Sequence, residues 1–129
     1  MAPQITVQTT VRAPLAEVWR AYSSADDIVR WNAASDDWHT TRAEVDLRVG
    51  GAFVYRMEAR DGSSGFDFSG TYRLVEPERV LAYDFFDRSA RVEFVDGPDG
   101  VTVTVSFEAE TENPIEMQQE GWQAILTRF

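Results

Sequence analysis

The sequence predicts an α+β fold in which a curved antiparallel sheet of about seven strands wraps a long C-terminal helix. Two observations lead to this prediction. Apolar and polar residues alternate with the period of a strand in a series of segments that turn residues separate. Only one substantial helical pattern is present, and it comes last, at 113–129. Because one helix must cover so many strands, we expect the sheet to curl around it, with one row of side chains from each strand facing inward.

The chain opens with a strand and two short helices. Alternation over 4–12 predicts the strand. Pro14 then begins a helix whose apolar residues recur at i, i+3, i+4 and i+7. These residues are Leu15, Val18, Trp19 and Tyr22. Ser24, with Asp27 three residues later, has the spacing to cap a second short helix that carries Ile28 and Trp31. Two small helices are therefore predicted directly after the first strand.

Antiparallel hairpins are predicted to fill the middle of the chain. A weak alternation from Trp38 to Val49 ends at Gly50 and Gly51, and the next strand runs to the turn residues at 61–65. Two further pairs of strands meet around the turns at 76–78 and 96–100. The charged residues inside these strands fall mostly on the face opposite the aromatic residues, where we expect solvent-exposed partners on neighbouring strands. These charged residues are Arg56, Glu58, Asp67, Asp84 and Glu93.

The last segment, 113–129, has the clearest helical pattern. Asn113 can cap its first turn, Pro114 fits the first helical position, and Glu116 completes a capping box. At 100° per residue, one apolar face is predicted. It consists of Ile115, Trp122, Ile125, Leu126 and Phe129. Gln118 projects toward the side of Trp122, so it either brings a hydrogen-bonding group between helix and sheet or lies partly exposed where the helix leaves the sheet.

Composition limits the classes of function. At 129 residues with 43% hydrophobic residues, the chain has enough apolar material for a single domain over 1–129. The absence of cysteine excludes disulfides and thiolate metal sites and is consistent with a cytoplasmic location. A net charge of −10 without a basic patch opposes nucleic-acid binding. No apolar run of about 18 residues is present, so no membrane span is expected.

Several motifs, taken in order, resemble a known family. The first strand, APLAEVWRAY at 13–22 and IVRW at 28–31 resemble the opening of the START/Bet v 1-like (SRPBCC) superfamily. Other motifs resemble the branch of that superfamily named for the Hsp90 ATPase activator homologues (AHSA1-like). They are DLRVGGAF at 46–53, GTYR at 70–73, EPERV at 76–80 and EGW at 120–122. The resemblance covers essentially the whole chain.

The resemblance implies a helix-grip fold, in which a seven-stranded antiparallel sheet grips the C-terminal helix and leaves a cavity between them. Relatives in the superfamily bind lipids, sterols, polyketides or plant hormones, and a few are cyclases, aromatases or hydratases. Binding of a small hydrophobic or aromatic molecule is therefore the first expectation. Two alternatives are a polyketide cyclase-like or aromatase-like enzyme in the same cavity, and an Hsp90 activator-like stress-response module with a chaperone as partner.

The candidate ligand-binding residues are mainly the inward aromatic residues of the strands and of the last helix. They are Trp31, Trp38, Phe53, Tyr55, Met57, Phe68, Tyr72, Tyr83, Phe85, Phe94, Gln118 and Trp122. Each of them has core packing as its alternative role. A buried tyrosine needs a hydrogen-bond partner, which a ligand oxygen or the protein itself could supply. Trp31 and Trp38 bracket a polar segment, 32–37, and either gate one end of the cavity or anchor the small helices.

No catalytic residue, metal site or cofactor is predicted. His39 is the one histidine, and the sequence places no nucleophile beside it. The paired aspartates at 26–27 and 36–37 lack the spacing of an EF-hand loop. Gly50 and Gly51 precede no helix, which excludes a phosphate loop and predicts a strand bend. Acid–base chemistry would require Asp67 or Asp84 to face inward beside a tyrosine.

Overall fold

The computed structural model describes residues 4–33, 36–86, 88–110 and 113–129. Its elements follow the predicted order of one strand, two short helices, six strands and a terminal helix. They are β1 (Gln4–Val11), α1 (Leu15–Ser23), α2 (Ala25–Trp31), β2 (Trp38–Val45), β3 (Ala52–Ala59), β4 (Gly65–Glu76), β5 (Val80–Phe85), β6 (Arg88–Gly97), β7 (Gly100–Glu108) and α3 (Ile115–Arg128). The predicted α+β helix-grip architecture is confirmed.

The seven strands form one antiparallel sheet in the order β1-β7-β6-β5-β4-β3-β2. Each neighbour after β1 is a hairpin partner, whereas β1 and β7 pair across almost the whole chain, from Gln4 opposite Glu108 to Val11 opposite Val101. Burial along β7 alternates strictly between buried and half-buried residues, as its period-2 sequence predicts. The inward rows of β1, β5, β6 and β7 meet in one apolar core.

α3 lies across the concave face, close to β1 and in contact with β7. The Trp122 ring stacks on Phe107 of β7, with the ring centroids 3.8 Å apart and the planes 15° from parallel. The Gln123 amide bonds to both backbone groups of Gln8 on the edge strand β1, at 3.3 Å to its N–H and 3.0 Å to its carbonyl. The helix therefore satisfies part of the sheet edge and is fixed near one side of the sheet.

The start of α3 differs from the prediction. The helix begins at Ile115 after Pro114, and no side chain caps its first turn, so the Asn113 capping box is wrong. Gln118 instead holds the entry to the helix. Its side-chain amide accepts from the Glu110 N–H at 2.9 Å and donates to the carbonyls of Glu110 and Asn113. Ile115 is 43% exposed and does not extend the apolar face, because the first turn projects beyond the sheet.

Two further details correct the prediction. Ser24 precedes α2 as expected, but its side chain makes no capping hydrogen bond. β2 ends at Val45 rather than Val49, because the chain turns there: the Asp46 N–H donates to the Ala52 carbonyl at 3.0 Å. Gly50 adopts a φ of 85° in that turn, a conformation that glycine accepts without strain, so the predicted bend at this pair is confirmed.

The charged residues of the strands lie on the outer face. Arg56 pairs with Glu58 at 3.0 Å and, across to β4, with Asp67 at 3.6 Å. Asp84 of β5 lies 3.5 Å from Arg73 of β4. Neither Asp67 nor Asp84 therefore faces the tyrosines on the concave side, and the condition for an inward acid–base pair is not met.

Substitution of two glycines by alanine should change the stability of the protein in opposite directions. A Cβ at Gly70 would collide with the Asp84 carbonyl and would lie 2.8 Å from the Phe53 ring, whereas a Cβ at Gly121 in α3 would meet nothing within 4 Å. We expect Gly70→Ala to lower the free energy of unfolding by about 1–3 kcal/mol. We expect Gly121→Ala to raise it by about 0.5–1 kcal/mol, because alanine restricts the unfolded chain and favours the helix. Denaturant unfolding monitored by circular dichroism measures both, and a neutral Gly70→Ala would contradict the close packing of β4 and β5.

Candidate functional site

A cavity of about 290 Å³ lies between the concave face of the sheet and α3. Its position follows from the packing of α3 over β1 and β7, which leaves the inward rows of β3, β4 and β5 facing a gap. The lining residues come from every layer of the fold. They are Val7, Tyr22, Trp31, Asn32, Tyr55, Met57, Phe66, Phe68, Tyr72, Leu81, Tyr83, Phe86, Arg88, Val105, Trp122, Ile125 and Leu126. Most of these are aromatic or aliphatic, so the cavity is an apolar space with a few polar groups.

Seven of the twelve candidate residues lie in this lining. They are Trp31, Tyr55, Met57, Phe68, Tyr72, Tyr83 and Trp122. The sheet brings them together because inward positions on paired strands are neighbours: Tyr55 is opposite Phe68, and Tyr72 is opposite Tyr83. Their contact with a ligand stays a prediction, whereas their convergence on one space is a property of the structure.

Phe53, Phe85 and Phe94 lie in the packed core rather than in the lining. The Phe53 ring, 1% exposed, covers Gly70 on the neighbouring strand. Phe85 packs against Trp122 with ring centroids 5.6 Å apart, and Phe94 lies beneath α1, 5.3 Å from Trp19. Alternation placed all three on the correct face of the sheet. It could not show which inward positions other side chains cover.

Trp38 and Gln118 also lie outside the cavity lining. Trp38 at the start of β2 packs against Phe66, with ring centroids 6.0 Å apart. Gln118 is buried, but its amide is occupied by the loop before α3. Of the two tryptophans that were expected either to gate the cavity or to anchor the small helices, Trp31 lines the cavity and Trp38 does not, and residues 34 and 35 between them lie outside the described residues.

At one end of the cavity, the lining residues Tyr22 and Trp31 form an aromatic cluster with Phe129. Trp31 lies 5.2 Å from Tyr22 and 4.9 Å from Phe129, measured between ring centroids. Its indole N–H donates to the Ala21 carbonyl at 2.9 Å, which fixes α2 to α1. Trp31 therefore anchors a helix and lines the cavity at the same time.

Sequence reasoning missed several lining residues. Tyr22 belongs to the predicted apolar stripe of α1, and a residue with that pattern is expected to pack between elements rather than to line a cavity. Phe86, 68% exposed, has a φ of 54° in the β5–β6 turn, so strand periodicity could not place it. Arg88 begins β6 directly after that turn, and no periodic pattern signalled that it lines the cavity.

All four tyrosines of the chain line this cavity: Tyr22, Tyr55, Tyr72 and Tyr83. Burial is the largest cause that raises the pKa of each phenol, and neighbouring tyrosines raise those of Tyr22, Tyr55 and Tyr83 further. The pKa of Tyr72 rises to about 12, while hydrogen bonding with Tyr55 opposes the shift. The phenols therefore stay protonated at neutral pH and provide hydroxyl groups to an apolar space.

The described lining contains no carboxylate and no histidine, and its one charged side chain is that of Arg88. His39 lies on the edge strand β2, opposite Glu58. Among the described residues, no group of three or more acidic or histidine side chains could hold a metal ion. Within the same residues, no helix is long and apolar enough to cross a membrane.

Comparison with known proteins confirms the resemblance that the motifs suggested. The sequence model of the family described as "Activator of Hsp90 ATPase homolog 1-like protein" matches residues 12–129. The solution structure of an AHSA1-like protein from Aeromonas hydrophila is 43% identical, with a TM-score of 0.93 over 98% of this chain and 88% of that one. The solution structure of Chr148 from Cytophaga hutchinsonii is 41% identical, with a TM-score of 0.85 over 96% and 87%. A search of curated proteins finds no match.

Spectrophotometric titration of the tyrosines tests the cavity directly. Because every tyrosine has a raised pKa in the folded state, we expect no tyrosinate absorbance from the native protein near pH 10, where the unfolded chain titrates. By linkage, the unfolded chain loses protons first, so stability holds below about pH 10 and falls as the pH rises further. Titration in denaturant is the control. Native titration of even one tyrosine near pH 10 would contradict the structure.

Proposed function

We propose that this chain, which belongs to the family of Activator of Hsp90 ATPase homolog 1-like proteins, binds a small apolar or aromatic molecule in the cavity between sheet and α3. One observation carries the proposal: the fold leaves a partly open, mostly aromatic space of about 290 Å³ instead of filling it with side chains. Protein interiors are normally packed to the density of organic crystals, so an unfilled space of this size in the core costs stability. A ligand that fills it would offset that cost.

The dimensions and polarity of the cavity narrow the ligand class. A volume of about 290 Å³ lies just below the roughly 300–1,000 Å³ range of small-molecule pockets. It suits a body of one or two aromatic rings better than a sterol. Aromatic walls favour stacked or edge-on contacts with such a ring, and the phenol hydroxyls provide donors and acceptors for a ligand oxygen.

Binding ranks above the two alternatives. A cyclase-like or aromatase-like enzyme would need a proton acceptor, and the raised pKa of each tyrosine keeps it a donor at neutral pH, while the described lining offers no carboxylate. A chaperone-associated role rests on the family's name alone. The cavity is the feature that the geometry supports best.

Two-dimensional amide NMR tests the proposal. The protein is titrated with a panel of small aromatic acids, phenols, flavonoids, fatty acids and sterols. We expect resonances of cavity-lining residues to shift for the compact aromatic members. Val105→Phe adds a ring inside the cavity and should weaken that binding roughly tenfold or more.

The matched control is Val95→Phe, the same substitution at a position on β6 that is 61% exposed. It should leave binding unchanged. The proposal fails if no lining residue responds to any compound, or if both variants bind as the wild type does. Folding of each variant is verified from the dispersion of its own spectrum.

A further inference from the structure

The one charged side chain of the described lining stands at the end of the cavity away from the aromatic cluster of Tyr22, Trp31 and Phe129. Arg88 lies near Trp122 of α3, and both line the cavity as well as an adjoining surface groove. Phe129, which packs against Trp31, is seven residues further along the helix, roughly 10 Å at the helical rise. The cavity therefore has a cationic end, beside Arg88, and an opposite end at the cluster of Tyr22, Trp31 and Phe129.

Within the part of the chain that the structure describes, Arg88 is held by contacts that leave most of its donors available. Its guanidinium lies over the Phe85 ring, 4.5 Å from the centroid, and one terminal nitrogen donates to the Glu108 carbonyl oxygen at 3.0 Å. A guanidinium carries five N–H donors, so the bond to Glu108 uses one of them. The Phe85 ring and the Glu108 carbonyl fix the plane of the guanidinium. A fixed plane is what a carboxylate needs in order to accept two parallel N–H bonds from it.

The neighbouring acid, Glu108, is occupied elsewhere. Its Oε1 accepts from the backbone N–H of Ser89 at 2.9 Å and from the Ser89 hydroxyl at 2.6 Å. Those bonds are the main cause of the lowered pKa of Glu108, and the charge of Arg88 makes the smallest contribution to it. Among the described residues, seven other arginines pair with carboxylates on the surface, whereas the hydrogen bond found for Arg88 is to a backbone carbonyl.

We propose that the cavity binds a small aryl carboxylic acid, with its ring among the aromatic walls and its carboxylate on the guanidinium of Arg88. This inference rests on the proposed function and names its ligand class. A single planar fork of donors matches one carboxylate, which accepts two parallel N–H bonds. The apolar walls provide the affinity for the ring, and the arginine discriminates the acid from neutral analogues of the same shape.

The test compares matched ligands by NMR titration and calorimetry: phenylacetic, phenylpropionic and naphthylacetic acids against their primary amides. We expect the wild-type protein to bind the best acid at least about tenfold more tightly than its amide. Arg88→Gln keeps a donor for the Glu108 carbonyl but removes the charge, and should abolish this preference while the amide binds as before. Arg88→Lys, which retains the charge without the fork, should keep part of the preference.

The control variant is Arg91→Gln, which makes the same change of charge on β6 at a side chain that pairs with Glu93 on the surface. It should preserve the preference for acids. The inference is overturned if acids and amides bind the wild type equally, or if Arg88→Gln weakens both classes alike, and in either case the proposed function stands. If no compound of either class shifts a lining residue, the inference fails, and the wider panel of phenols, flavonoids, fatty acids and sterols then decides whether the proposed function stands.

Discussion

The stack of Trp122 on Phe107 is the contact on which the cavity depends. With ring centroids 3.8 Å apart, it brings α3 close to β7, and the Gln123 bonds to the backbone of Gln8 hold the helix beside β1. A helix is only about 10 Å wide, so one that lies over the β1 side cannot also cover β3 and β4. Their inward residues face one another and the helix across a gap. The cavity is thus a consequence of where one helix is attached to a broad sheet.

The same constraint explains the polarity of the walls. Inward positions of β3, β4 and β5 must be apolar enough to support the sheet, yet α3 lies nearer β1 and contacts β4 and β5 through the ring of Trp122, 6.2 Å from Phe68 and 5.6 Å from Phe85 between ring centroids. Tyrosine satisfies both requirements, because its ring packs with Phe53 and Phe68 while its hydroxyl reaches a space that can hold a polar atom. Among the described residues, no fully buried polar side-chain atom lacks a hydrogen-bond partner. The four phenol hydroxyls therefore line the cavity without being left both fully buried and without a hydrogen-bond partner.

The fold could be predicted from the sequence because period-2 alternation and turn residues are local signals, and the family motifs fixed their order.

The site was predicted only in part. Alternation identified the concave face, and this was sufficient for Tyr55, Phe68 and Tyr83, but depth on that face depends on which side chains cover it. Phe53 and Phe94 are covered, by neighbours that are distant in sequence. Asn113 and Gln118 show the same limit at the helix start, where the side-chain amide of Gln118 bonds to Glu110 in the preceding loop and no side chain caps the first turn. Arg88 follows a turn in which Phe86 has positive φ, and such a turn resets the strand phase.

The net charge of the chain determines how a carboxylate can bind at the end of the cavity where Arg88 lies. At −10, the protein as a whole repels anions, so a carboxylate gains little from long-range attraction. It must be held by short-range contacts, and its ring must leave water for the aromatic walls, which contributes about 25 cal/mol for each Å² of apolar surface buried. Small polar acids have too little apolar surface to bind, and neutral aromatic molecules leave the guanidinium of Arg88 without an anion. The preference for both properties in one molecule follows from an acidic surface, an aromatic cavity and the one arginine of the described lining, which a ring and a carbonyl hold in place.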